Sequence, residues 1–143
     1  MFKIVESFLL TLWIGSMWTV GYLVAPVLFS QLDDRIIAGM LAGKMFSLVS
    51  YAGLISASIL LIAQLLRHGL PSRQYWLSGV LIIMLALICV GEFVLQPQMA
   101  ALKAAGLAGE NMTQFSRVHG MASILYLLNS VMGLILIARW HRA

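Results

Sequence analysis

Charge is what this sequence has least of. Its 143 residues include five Asp or Glu and nine Lys or Arg, and charged residues make up 10% of the chain, against roughly 25% in an ordinary globular domain. A water-soluble fold needs a solvated polar shell, and so few charges cannot supply one. Cysteine occurs once, as Cys89 inside an apolar run. That excludes an intrachain disulfide and any multi-cysteine zinc site. A phosphate-binding loop, a dinucleotide fingerprint and a Cys/His pair at zinc spacing are all missing. The net charge of +4 is no nucleic-acid footprint, because the basic residues form no run and no stripe interleaved with aromatics.

What the chain does have is apolar residue, at 62%. Charge is absent over 7–32, 45–66, 74–91 and 118–138. A membrane helix needs about 20 mostly apolar residues, and continuous rather than alternating runs favour helices over strands. In hydrocarbon the backbone must satisfy its own hydrogen bonds, which a helix does within one segment. The expected fold is therefore all-α: an integral membrane four-helix bundle with spans at about 7–30, 42–66, 75–96 and 116–139, forming one domain over 1–143. The first run exceeds the apolar region of a signal peptide, and Pro26 follows the best small-residue site at Ala25. It reads as a retained helix.

The connections carry the polar residues. The first, around Ser30 to Gly39, holds Asp33, Asp34 and Arg35; the second, Arg67 to Arg73, is short and makes helices two and three antiparallel neighbours. The third, from Gln96 to Thr113, is the longest, with Pro97 expected to stop helix three and Met99 to Leu107 forming a short interfacial helix. Lys3, Arg67, Arg73, Arg139 and Arg142 fall on one side of the bilayer; Arg35, Lys44, Lys103 and Arg117 fall on the other. The positive-inside bias then puts both termini in the cytoplasm. Trp76 and Trp140 fit a cytoplasmic aromatic belt.

An ionisable residue within a span is costly unless it meets a partner or water, so each is a functional candidate. Glu92 lies inside the third apolar segment, Lys44 opens helix two, and Arg117 and His119 open helix four. All lie toward the non-cytoplasmic half. Helical spacing suggests that they share an inward face with small or hydrogen-bonding residues. The stripes are His119, Ser123, Tyr126, Ser130 and Gly133, with Asn129 at the edge; Lys44, Tyr51 and Ser58; Gly15, Trp18, Tyr22 and Pro26; and Glu92 with Gln96. The plainer reading is structural: Glu92 pairs with Lys44 or Arg117, His119 bonds a neighbour, the tyrosines satisfy their hydroxyls in the core, and Gly39 and Gly43 serve packing within the subunit. His119 is the only histidine in or near a span, so a two-histidine haem within one subunit fails. Without a close Met or Cys cluster a copper route is weak.

The ordered motifs resemble a known family. Trp13-Ile-Gly-Ser-Met-Trp18 followed by Gly21-Tyr-Leu-Val-Ala-Pro-Val-Leu-Phe29 resembles the first helix of small bacterial four-helix proteins of the domain-of-unknown-function 4149 group, whose eukaryotic relatives are the transmembrane-protein-205-like proteins. Ala38-Gly-Met-Leu-Ala-Gly-Lys-Met-Phe46, Gln96-Pro-Gln-Met and Phe115-Ser-Arg-Val-His-Gly-Met-Ala-Ser123 are similar to its later helices. The resemblance implies the fold more than an activity. More distantly, the Gly-Tyr-Leu-Val-Ala-Pro-Val-Leu-Phe pattern is similar to the copper-resistance CopD-like group, which includes a protoporphyrinogen oxidase of the HemJ type. Those proteins carry a histidine early in helix one, and this chain does not.

The leading expectation is a binding or accessory subunit of the bacterial inner (cytoplasmic) membrane, more binding module than enzyme. Its seam of Glu92, His119, Lys44, Tyr22, Arg117 and Asn129 would hold a partner helix, lipid or hydrophobic cofactor. The expected partners are membrane lipid and copies of itself or a larger membrane complex, and no nucleic acid. The competing expectation is a haem- or porphyrin-linked redox protein, with haem b on His119 as the metal ligand and Glu92 and Lys44 positioning propionates or moving protons. A third is an oligomeric transporter of a small solute or metal ion.

Overall fold

The computed structural model describes residues 2–68 and 75–140, and every regular element in them is helical. The order is α1 (Phe2–Thr19), a π turn (Val20–Val24), α2 (Ala25–Gln31), α3 (Arg35–His68), α4 (Tyr75–Val90), a second π turn (Gly91–Leu95), α5 (Gln96–Ala104) and α6 (Gly109–Trp140). Because each π turn continues into the next helix, four long apolar helices result: Ile4–Gln31, Arg35–Leu66, Trp76–Ala104 and Gly109–Trp140. Each is long and apolar enough to cross a membrane, which makes this a multi-pass membrane protein with four candidate spans. Most of the connection expected at Arg67 to Arg73 lies outside the described residues.

The expected span positions hold, but the helices are longer. Helix two begins at Arg35 rather than near 42, and helix four at Gly109 rather than near 116. With 34 residues, α3 is about 51 Å long at ~1.5 Å per residue, well beyond a hydrocarbon core of about 30 Å. Its first turns are held by Asp34, whose Oδ1 accepts from the N–H groups of Ile36 (2.8 Å) and Ile37 (3.3 Å). This is an N-cap that satisfies donors otherwise left without partners.

Pro97 does not stop helix three. A proline lacks the N–H that a helix uses and crowds the carbonyl four residues back. Here the strain is taken up just before it. The Gln96 N–H reaches five residues back to the Gly91 carbonyl, which widens the turn, and α5 continues to Ala104. The same device serves Pro26, with the Ala25 N–H donating to the Val20 carbonyl. Spans one and three are therefore built alike: a helix, a π turn, a proline and a short terminal helix. The chain breaks after Ala104, where Gly106 adopts φ 92° and its N–H bonds the Lys103 carbonyl at 3.2 Å. Glycine takes that left-handed conformation without a Cβ penalty.

The four spans form a ring in chain order, each packed against its sequence neighbours, with α1 and α6 closing it. Leu10, Trp13, Ile14, Met17, Leu60, Leu81, Met84 and Leu136 form the core toward the end that carries the termini. A smaller cluster of Leu95, Met99 and Val118 lies toward the opposite, turn-bearing end. Between α1 and its neighbours the backbones come close. A Cβ on Gly53 would stand 2.5 Å from Trp13 Nε1, and one on Gly133 would stand 2.6 Å from Ile14 Cδ1. Trp140 packs into this core, with 8% exposure, rather than lying in an aromatic belt. Trp76 is the more exposed of the pair and carries the Arg139 guanidinium over its ring at 5.9 Å.

Candidate functional site

The turn-bearing half holds the polar residues, and the π turn of span three sets the position of Glu92. Leu77, Leu81, Met84 and Ile88 form the buried stripe of α4, and Glu92 continues it with 9% exposure. Among the described residues its carboxyl makes no hydrogen bond or ion pair. The expected pairing with Lys44 or Arg117 is not formed. Both cations are exposed, on helix faces that turn away from the bundle axis. A turn beyond Glu92, Gln96 ties span three to span two, its Nε2 donating to the Gly43 carbonyl and to Ser47 Oγ, each at 3.3 Å. Gly43 faces Gln96 and Gly39 faces Phe29 and Lys103, so this pair of glycines packs within the subunit.

The inward stripes expected from helical spacing divide. On α3, Lys44, Tyr51 and Ser58 are all exposed and mark the outer face; Tyr51 leans edge-on toward Phe93, 6.5 Å between centroids. On span one, Gly15, Tyr22 and Pro26 are exposed, and the buried residues are Leu10, Trp13, Ile14 and Met17. Along α6 the stripe begins outside at His119 and Ser123 and ends buried at Ser130 and Gly133. Asn129 is not at an edge but buried, with 5% exposure. Small residues let helices approach closely, but the core of span one is built from large ones, and the small ones that receive them are Gly53 and Gly133 on the neighbouring helices.

Two side-chain groups are assembled, the first near mid-span against the large core and the second at the turn-bearing end. In the first, the Tyr126 hydroxyl donates to the Met17 carbonyl, beside Gly21, where a Cβ would stand 2.4 Å from the tyrosine ring. Trp18 reaches the Ser130 carbonyl with its indole N–H at 3.4 Å. Tyr22 lies 4.6 Å from the Trp18 ring and 6.3 Å from that of Tyr126, and Phe46 meets Tyr126 edge-on at 5.0 Å. In the second group, Lys103 Nζ donates to the Gly39 carbonyl at 3.4 Å and stands 5.5 Å from the Phe115 ring centre. Phe115 stacks on His119 at 5.8 Å, with only 7° between planes. Lys103, absent from the sequence-derived seam, joins spans two, three and four here; its place in a connection hid it.

Two further buried groups carry no signal in the sequence pattern, Glu6 with 5% exposure and Gln64 with 9%, both toward the terminal end. Among the described residues no cluster of three His, Cys, Asp or Glu side chains could hold a metal ion. The space lined by all four spans has about 60 Å³ of room, far below the roughly 300–1,000 Å³ of a drug- or cofactor-sized pocket.

Comparison with known proteins adds the family. The model for the domain of unknown function DUF4149 matches residues 8–108, from the first span through the turn after α5. None of the curated proteins and none of the solved structures matches the chain. With most of its length covered by that match, and the helices in the order the motifs indicated, the chain belongs to the DUF4149 family of membrane proteins.

Proposed function

We propose that this chain is a binding or accessory subunit of the bacterial inner membrane, with both termini cytoplasmic and the seam around Glu92 in the non-cytoplasmic half. One observation carries the reading: the cations, the histidine and one tyrosine of that half lie on the outside of the bundle, around a buried Glu92. Lys44, Tyr22, Arg117 and His119 are exposed, while the buried Glu92 makes no hydrogen bond or ion pair among the described residues. A polar group at membrane depth demands a partner or water, and for the exposed groups a partner outside the subunit meets that demand. The space between the four spans, about 60 Å³, has little room for chemistry, and the larger groove of about 430 Å³ along span one is lined by no ionisable side chain. A partner helix lying against spans two and three would cover Lys44, Tyr51 and Phe93 together.

The test is the native mass of the protein, extracted gently from its own membranes, with an absorption spectrum on the same sample. A second polypeptide or extra copies of the chain, lost in Lys44→Ala and kept in the outward-facing control Ile62→Ala, supports the reading. A monomer carrying lipid alone rejects it. A porphyrin would have to lie outside the bundle at His119, so a Soret band lost in His119→Ala would replace this reading with the redox one.

A further inference from the structure

The two π turns differ in what fills them. At the first, the Tyr126 ring occupies the space over Gly21, where a Cβ would meet it at 2.4 Å. At the second, a Cβ on Gly91 would meet nothing within 4 Å. That opening belongs to a cavity reached by all four spans, lined by Trp13, Met17, Ser50, Gly91, Tyr126 and Asn129 among others, with about 60 Å³ of room. Asn129 is 5% exposed and its Oδ1 has no hydrogen-bond partner among the described residues. Ser50, in the same lining, makes no hydrogen bond among the described residues, so its hydroxyl is free to meet an occupant.

We propose that this cavity is a buried water site at the junction of the four spans. The lining decides the chemistry of the occupant. A buried amide oxygen left without a donor is costly, so an empty or apolar-filled cavity leaves that cost standing. Asn129 and Ser50 offer both donors and acceptors and no net charge, which suits a neutral molecule that donates and accepts. A cation would lack an anionic ligand, because the Glu92 carboxyl is not part of the lining. One water needs at least about 10–15 Å³, takes about 30 Å³ as its share of the liquid, and needs two to four polar partners, so a cluster of about two to four fits and nothing much larger does. The widened turn at Gly91 makes the space, and Asn129 holds the water that enters it.

The experiment is NMR on the full-length protein in lipid nanodiscs, reading water-to-protein cross-relaxation at the Asn129 side-chain amide and the Gly91 N–H. The wild type gives direct water cross-peaks at both, and neither resonance moves saturably with xenon. Asn129→Leu loses the Gly91 peak and becomes xenon-responsive. Should that variant not fold, Ser50→Ala weakens both peaks at least twofold. Absent water peaks in the wild type, or saturable xenon shifts, mean a dry cavity and overturn the proposal. Shifts that track sodium chloride but not choline chloride identify an ion instead and overturn it equally.

Discussion

The Tyr126 hydroxyl donates to the Met17 carbonyl across 109 residues of sequence, and it does so over Gly21, the one residue there that leaves room for the ring. Tyr126→Phe keeps the ring and removes this bond. Hydrogen bonds between membrane helices average roughly 0.6 kcal/mol and reach about 1.7. A bond this direct belongs in the upper part of that range, so the variant should lose about 1–1.5 kcal/mol. Reversible unfolding in mixed micelles measures it, and no change would mean the hydroxyl contributes nothing.

Glycines sort by what a methyl group would meet. Gly21→Ala pushes into a bonded tyrosine ring, and Gly53→Ala into Trp13, which is 2% exposed and has nowhere to move. Overpacking of this kind costs about 1–3 kcal/mol. Gly79→Ala and Gly120→Ala meet open space; gaining helix propensity of up to about 1 kcal/mol, they should be neutral or stabilising. Four melting curves under one set of conditions settle the order.

The spans were legible because lipid excludes charge, and four charge-free runs leave little choice. Their ends were not. Pro97 reads as a stop, and only the five-residue hydrogen bond from Gln96 to Gly91 explains why the helix runs on. The inward faces were least legible. In a soluble helix the polar side marks the outside, but a lipid-facing side is as apolar as the core. Spacing therefore groups Lys44 with Tyr51 and Ser58 without saying which way they point. Each π turn also adds a residue, which rotates the downstream helix by about 100°. The stripe from Gly15 to Pro26 crosses one, so it does not stay on a single face. The usable signal is a glycine a few residues before a proline within an apolar run, Gly21 with Pro26 and Gly91 with Pro97.

Lys103 provides a test at the turn-bearing end. Its ammonium stands over Phe115 and bonds the Gly39 carbonyl, so one side chain clips spans two, three and four. A cation–π contact at an exposed site is worth about 0.5–1 kcal/mol. Lys103→Met keeps the stem and removes the charge. It should lose about that much stability and increase hydrogen exchange near Gly39 and Gly106, while exchange near Trp13 and Leu60 stays as it was.

Glu92 separates an internal role from an external one. Breaking a buried ion pair by removing one partner costs about 3–5 kcal/mol, which is the outcome if Glu92 holds Lys44 or Arg117. With no such pair formed, Glu92→Leu should leave the isolated subunit as stable as the wild type or more so. A double-mutant cycle with Lys44→Ala should show coupling within the roughly 0.3–0.5 kcal/mol expected of independent sites. The same Glu92→Leu should nevertheless shift the native mass in membrane extracts, because the proposed seam uses the small part of this side chain, 9%, that stays accessible. Strong coupling in the cycle with unchanged native mass would return Glu92 to a purely structural role. Weak coupling with a lost assembly is the combination that only an intermolecular seam produces.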